Sequence, residues 1–381
     1  MKPKSPDLKG SKFITTAVIG ALALKLLVSF TIDYGIDSGV NVALDVLMMS
    51  VGTIYIIANL NKIKRSNIRI LIAIAIYTIY IIAVESFFGN AIEAIVYYSR
   101  FTAPILLYIM LISFTKSNQM TSNAKAIIYL ITALSLLGLT FMPFNENHGL
   151  QMLPTYFSGL HKSSYIAAAA LSGAIFLLIK QNKLSYSLLV CSVILLYFLW
   201  FGWGVRTALV FTLTFIMFWW ILNLNGFAKI VALLLACIIL PIAYIELASE
   251  VDLNQFSSGR LGMWLTKYDM FYNASMLNKL FGQGYGSDLV EIIGWWGEKD
   301  SHNNLIQITT EYGVFGLMIM LGTIATIYNS LTSNVSKALI IAYLSTTMIS
   351  NGLAFRILPG YVFVLMLATI EVHMRSRVGN K

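Results

Sequence analysis

With 381 residues, 58% of them hydrophobic and 11% charged, and a mean hydropathy of +0.76, the chain is too apolar to be a set of water-soluble domains. An all-α integral membrane protein is expected, with room for about 12 transmembrane helices of roughly 20 residues each and little chain left for anything else. The formal charge of +9 is spread over alternate loops, a membrane-topology pattern that argues against a nucleic-acid partner.

Unbroken apolar runs predict helices near 13–32, 40–60, 70–88, 94–114, 126–144, 164–180, 185–203, 208–225, 228–247, 313–332, 335–354 and 360–374. The first run follows Lys2, Lys4, Lys9 and Lys12 as in a signal peptide, but it is long and has no small-residue cleavage site, so a retained helix is expected. Lys62, Lys64, Arg65 and Arg69, then Lys116 and Lys125, Lys180 and Lys183, Lys229, Lys337, and Arg375, Arg377 and Lys381 fall in every second loop. By the positive-inside rule these loops and both termini are cytoplasmic. The two cysteines, Cys191 and Cys237, lie inside apolar runs, so packing is expected of them, with neither a disulfide framework nor a zinc site.

The whole chain, 1–381, reads as one polytopic membrane domain. One outer segment is long: residues 248–312, between the ninth and tenth runs. Loops of that length usually carry function or structure of their own. A shorter outer loop, 145–163, holds His148, His161 and Lys162. No internal repeat joined by a long central linker is visible, unlike a transporter of two six-helix halves.

Three arginines remain on the outer side, Arg206, Arg260 and Arg356, each beside a helix end. Arg206 follows Gly202-Trp203-Gly204-Val205, where its fork could reach a phosphate or a lipid head group. Arg260 opens an amphipathic helix in which Leu261, Trp264, Leu265, Tyr268, Phe271 and Tyr272 recur at helical spacing and Ser258 is the expected cap. An arginine in a first helical turn joins free amides and the positive dipole end in an anion site; a solvated residue on an interfacial helix is the bland alternative. His302 lies in Asp300-Ser301-His302-Asn303-Asn304, just before the tenth run, with Asp300 or Ser301 as the expected cap. The field of a helix N-terminus favours neutral imidazole, a proton acceptor, although a lone His is often only a surface residue. Asn303, Gln307 and Glu311 share one stripe of that helix. Phe281-Gly282-Gln283-Gly284-Tyr285-Gly286 follows no strand and reads as a tight turn. Lys25, Asp45, Glu85, Arg100 and Glu371 fall within apolar runs and need partners or a polar cavity.

In order and position, Ser258-Gly259-Arg260 with Trp264, the glycine turn at 282–286, Ser301-His302-Asn303, Glu311-Tyr312-Gly313 and Phe315-Gly316-Leu317 resemble the bacterial O-antigen polymerase and O-antigen ligase superfamily. The resemblance covers about residues 257–320; elsewhere it adds His161-Lys162, Arg206 and the span count. It implies a glycosyltransferase of the GT-C type on the outer face of the bacterial inner membrane, working without metal, cofactor or nucleotide sugar. Its donor would be an oligosaccharide on undecaprenyl diphosphate. Arg206 and Arg260 would grip the diphosphate and His302 would act as base or orient the acceptor. Trp264 and Tyr268 would line the groove between sugar and lipid. Arg356, His161, Lys162 and Asn303 would contact substrate. A polymerase, in which another lipid-linked repeat unit is the acceptor, is favoured; it would work with a chain-length regulator. A ligase acting on lipid A core is the alternative. A lipid-linked oligosaccharide flippase is the second, and would depend on Asp45, Glu85 and Arg100.

Overall fold

The structure is a computed structural model that describes residues 8–31, 38–141, 145–147, 150–152, 157, 159–180, 185–203, 205–229, 259–291 and 297–378. These fold into helices α1 (Leu8–Thr31), α2 (Ser38–Ala58), α3 (Arg65–Phe88), α4 (Ala91–Phe114), α5 (Ser117–Phe141), α6 (Leu160–Lys180), α7 (Tyr186–Tyr197) and α8 (Arg206–Asn223). The loop then gives α9 (Arg260–Asn273) and α10 (Met276–Phe281), and the chain ends with α11 (Asn304–Ser330), α12 (Asn334–Ile349) and α13 (Ile357–Val378). Two short antiparallel hairpins, Asn145–Asn147 with Leu150–Met152 and Val290–Glu291 with Glu298–Lys299, complete the described residues.

Among the described residues nine helices are long and apolar enough to cross a membrane, as an all-α membrane protein requires. The ninth run, near 228–247, and the loop's first part, with Ser257 and Ser258, lie outside the described residues, as do His148 and Cys237. Four of the expected runs differ in extent, the fifth beginning nine residues early at Ser117. The seventh is helical only over Tyr186–Tyr197 before a π-turn at Phe198–Gly202. The tenth begins nine residues early, at Asn304, because a polar first stretch forms helix without contributing to hydropathy. The eleventh stops at Ile349, after which Ser350–Arg356 leaves the helix and buries Leu353, Ala354 and Phe355 against the bundle.

Helix α13 is the centre: 83% of its apolar stretch is buried, against 22% for α2 at the periphery. Small residues allow the close approaches around it. A Cβ on Gly360 would come within 2.9 Å of Pro104 in α4, and one on Gly173 of α6 would strike Met366. Buried charges are paired or bonded. Lys25 of α1 meets Asp45 of α2 at 2.8 Å, and Arg375 meets Glu371 at 2.9 Å. Glu85 accepts hydrogen bonds from the Tyr285 amide (2.6 Å) and the Tyr312 hydroxyl (2.8 Å). Glu311 accepts from the Tyr98 hydroxyl and the Gly286 amide.

Those two carboxylates dock the glycine turn. Gly282, Gly284 and Gly286 all have φ near +85°, which an L side chain disfavours. Their segment lies against a break in α11 at Gly313 (φ 68°), with the Gln283 and Gly284 amides donating to the Thr310 and Glu311 carbonyls. A Cβ on Gly282 would fall on the Glu311 backbone, whereas one on Gly286 would meet nothing within 4 Å. Gly286→Ala therefore incurs only the backbone cost, about 1–2 kcal/mol. Gly282→Ala must in addition displace α11, and the expected result is a clearly larger fall in its thermal unfolding midpoint in detergent.

Candidate functional site

The site forms where the loop meets the ends of α6, α8, α11, α12 and α13. Two of the expected helix caps are replaced. Asn303, not Asp300 or Ser301, caps α11, its side-chain oxygen accepting from the Leu305 and Ile306 amides at 3.0 and 3.2 Å. Gly259, with φ 79° and no side-chain bond, occupies the cap position of α9 in place of Ser258. Asp300 and Ser301 are thereby released for other work.

Asp300 holds His302. Its Oδ1 lies 2.7 Å from His302 Nδ1 and accepts the His302 backbone amide at 3.1 Å, while its Oδ2 accepts from the Asn351 side chain at 3.0 Å. This local ring turns His302 to φ 45°, a conformation that costs a non-glycine residue about 1–3 kcal/mol and is concentrated at functional sites. With Nδ1 donating to the carboxylate, a neutral His302 presents Nε2 as a proton acceptor. Burial alone would raise the Asp300 carboxyl, but hydrogen bonds and charge from His302 bring it down to about 2.

A second chain of contacts fixes the strand before His302. Trp264 of α9 donates to the Ser301 carbonyl at 2.7 Å, and Asp288 accepts the Ser301 amide at 2.7 Å. Lys267, buried in α9, meets Asp288 at 3.2 Å. Burial raises the Asp288 carboxyl, with Lys267 opposing it. The loop helix carrying Arg260 and the turn carrying His302 are thus one unit.

The arginines converge on this unit. Arg356 donates through Nε to the Asn351 carbonyl at 2.8 Å, and its guanidinium stands 5.9 Å from the centre of the Tyr165 ring. Arg260 interacts electrostatically with Arg206, Tyr165 and Asp300, and Arg356 with Arg260, Tyr165, Tyr97 and Asp300. Burial pushes both Arg260 and Arg356 below the ordinary guanidinium value. His161, in the first turn of α6, lies in the same field, with Arg356, Arg260 and His302 around it and a buried Nδ1 that has no hydrogen-bond partner among the described residues. Tyr165 also donates to Thr207 at 2.8 Å, tying α6 to the first turn of α8, where Arg206 is exposed.

His161, Arg206, Arg260, His302 and Arg356 therefore come together, with Trp264 and Asn303 supporting the His302 turn. One of the expected residues does not join them. Tyr268 is exposed and stacks on Tyr272 instead, because α9 turns its other face inward. Lys162 lies in the field of Asp45 on α2. Asp300, Asn351 and Tyr165 were not singled out as site residues from the sequence. The spacing of Asp300 two residues before a polar turn residue was the only visible signal; Asn351 and Tyr165 sit in ordinary polar and apolar surroundings. Among the described residues no group of three or more His, Cys, Asp or Glu side chains is arranged to hold a metal ion. No family model matches the chain, and no curated protein matches it.

Proposed function

We propose that the protein is a membrane glycosyltransferase of the GT-C type with about 12 spans, an O-antigen polymerase at the periplasmic face of the bacterial inner membrane, with both termini cytoplasmic. It moves the glycan of one undecaprenyl-diphosphate carrier onto the terminal sugar hydroxyl of another lipid-linked repeat unit. The observation that carries this reading is the gathering of Arg206, Arg260 and Arg356 beside an Asp300-oriented His302. Arg260 and Arg356 both lie in the field of Asp300, which His302 also engages, and Arg206 lies in that of Arg260, so three cations are gathered where a diphosphate could be held.

In the reaction the acceptor oxygen forms a bond to the anomeric carbon as the bond from that carbon to the phosphate oxygen breaks, with inversion. The hydroxyl proton passes to His302 Nε2, and the charge growing on the diphosphate is held by the arginines. Partial burial strengthens both interactions. The carboxylates on which a flippase would rely have fixed partners here, Asp45 with Lys25 and Glu85 with Tyr285 and Tyr312, which favours surface chemistry over transport.

The test is a surface-polysaccharide gel of a strain lacking the gene, complemented with the wild type or with Arg260→Ala. The expected result is lipid A core bearing a single repeat unit, with the ladder restored by the wild type alone. Bare core, with polymer stranded on undecaprenyl diphosphate, would identify the ligase reaction instead. An unchanged ladder would end the glycosyl-transfer reading.

A further inference from the structure

We propose that α10, the six-residue helix Met276–Phe281, is a membrane-surface anchor that inserts Met276, Leu277 and Phe281 among the lipids of the leaflet on the site's side of the bundle. The proposal stands on the position of this helix and does not depend on the glycosyl-transfer reading.

The height of α10 follows from α11. The first ten residues of α11, up to Gly313, include Asn304, Gln307, Thr309, Thr310 and Glu311, and an apolar stretch begins at Val314. From Gly313 to Ser330 a helix is about 27 Å long, close to the roughly 30 Å of a bilayer's hydrocarbon layer. The break at Gly313 therefore marks the membrane boundary. The turn that leaves α10 pairs its amides with Thr310 and Glu311, 3.2 and 2.9 Å away, and a Cβ on Gly284 would sit 2.7 Å from the ring of Phe88, the last residue of α3. Both neighbours put α10 at that boundary.

Its side chains match the location. Met276 and Leu277 are 68% and 70% exposed, and in water such a pair would be an unrewarded apolar surface. Phe281 packs 5.3 Å from Phe315, which is itself exposed on the face of α11 that carries Met318. The apolar surface of α10 is therefore continuous with the lipid-facing surface of a membrane-spanning helix. Lys279 lies 5.4 Å from the centre of the Tyr272 ring, a cation and an aromatic of the kinds that settle at the head-group level. Anchoring α10 holds α9, and Arg260 with it, at a fixed height above the leaflet.

The experiment places a single cysteine, Leu277→Cys or separately Met276→Cys, in full-length protein whose two native cysteines are replaced by serine. Each is labelled with the environment-sensitive fluorophore NBD and reconstituted in nanodiscs of phosphatidylethanolamine and phosphatidylglycerol. Glu298→Cys, on the exposed hairpin, is the water-facing control. Only preparations that are monodisperse on gel filtration are measured. Quenching at 276 and 277 by a shallow doxyl-labelled phosphatidylcholine is expected to exceed quenching by iodide severalfold, with the reverse at 298. Iodide quenching at 276 and 277 equal to that at 298 would overturn the proposal by placing α10 in water. Shielding from both quenchers would overturn it too, by showing that a second copy or another protein covers the helix.

Discussion

On the glycosyl-transfer reading, His302→Ala should lower the turnover of purified, folded protein by about 10²- to 10⁴-fold, the range a positioned general base supplies, while KM for the lipid-linked donor changes little. Orientation is what would make His302 an effective base. A sugar hydroxyl is a weak nucleophile, and an imidazole free to rotate would present Nε2 only part of the time. Here Asp300 bonds Nδ1, Asn351 bonds the other Asp300 oxygen, and the backbone at φ 45° is held by the same carboxylate. Asp300→Asn should therefore reduce turnover as well, by less than His302→Ala, because the base remains but loses its fixed tautomer. The pH dependence has a definite sign. The Asp300 carboxyl is lowered from 3.8 to about 2, so its hold on His302 is complete above the ordinary carboxylate range of about 4 and is lost only as pH falls through about 2. A rate that falls between neutrality and pH of about 4 must then report some other group. Wild-type turnover, within about threefold, in folded His302→Ala enzyme would remove the base from the mechanism.

Much of this site can be read in the sequence because its members carry charge where charge is costly. Arginines in loops where the positive-inside rule leads one to expect few stand out in the sequence, and Arg206, Arg260 and Arg356 do converge. The histidine turn is legible only in part. A polar run before a helix is visible, but which member caps the helix depends on backbone geometry, and Asn303 takes that place while Asp300 turns to His302. Asn351 was invisible because it lies in a run of near-continuous hydropathy, where the end of α12 at Ile349 is set by tertiary contacts, including the Gly352 amide donating to Asn304 at 2.8 Å. The same limit hid the early start of α11. Hydropathy marks where the apolar stretch begins, after Gly313, and is silent about helix that precedes it. The glycine turn was legible as a turn, but its role as the seat of α10 on α11 needed the packing of Gly282 against Glu311.

On the same reading, removing the arginines proposed to hold the diphosphate is the second large effect. Arg260→Ala and Arg356→Ala should each lower kcat/KM by roughly 10- to 150-fold, the equivalent of one charge-assisted contact of about 1.5–3 kcal/mol. Arg206, more exposed than the other two, is expected at the lower end because water screens it. Lysine should not restore either variant fully, since a point charge cannot reproduce the paired N–H donors of a guanidinium on phosphate oxygens. The double variant should lose less than the product of the single losses, because both side chains would hold one diphosphate and removing the first would already loosen it. Arg356 has a further duty. Its Nε bond to the Asn351 carbonyl steadies the residue that braces Asp300, so Arg356→Ala should depress kcat as well as raise KM, while Arg260→Ala acts mainly through the diphosphate. Steady-state kinetics with an undecaprenyl-diphosphate-linked repeat unit separate the two patterns. If Arg260→Ala and Arg356→Ala both keep wild-type kcat/KM while Arg100→Ala abolishes function in cells, the cationic cluster is not the reacting site and the charges within the membrane helices are.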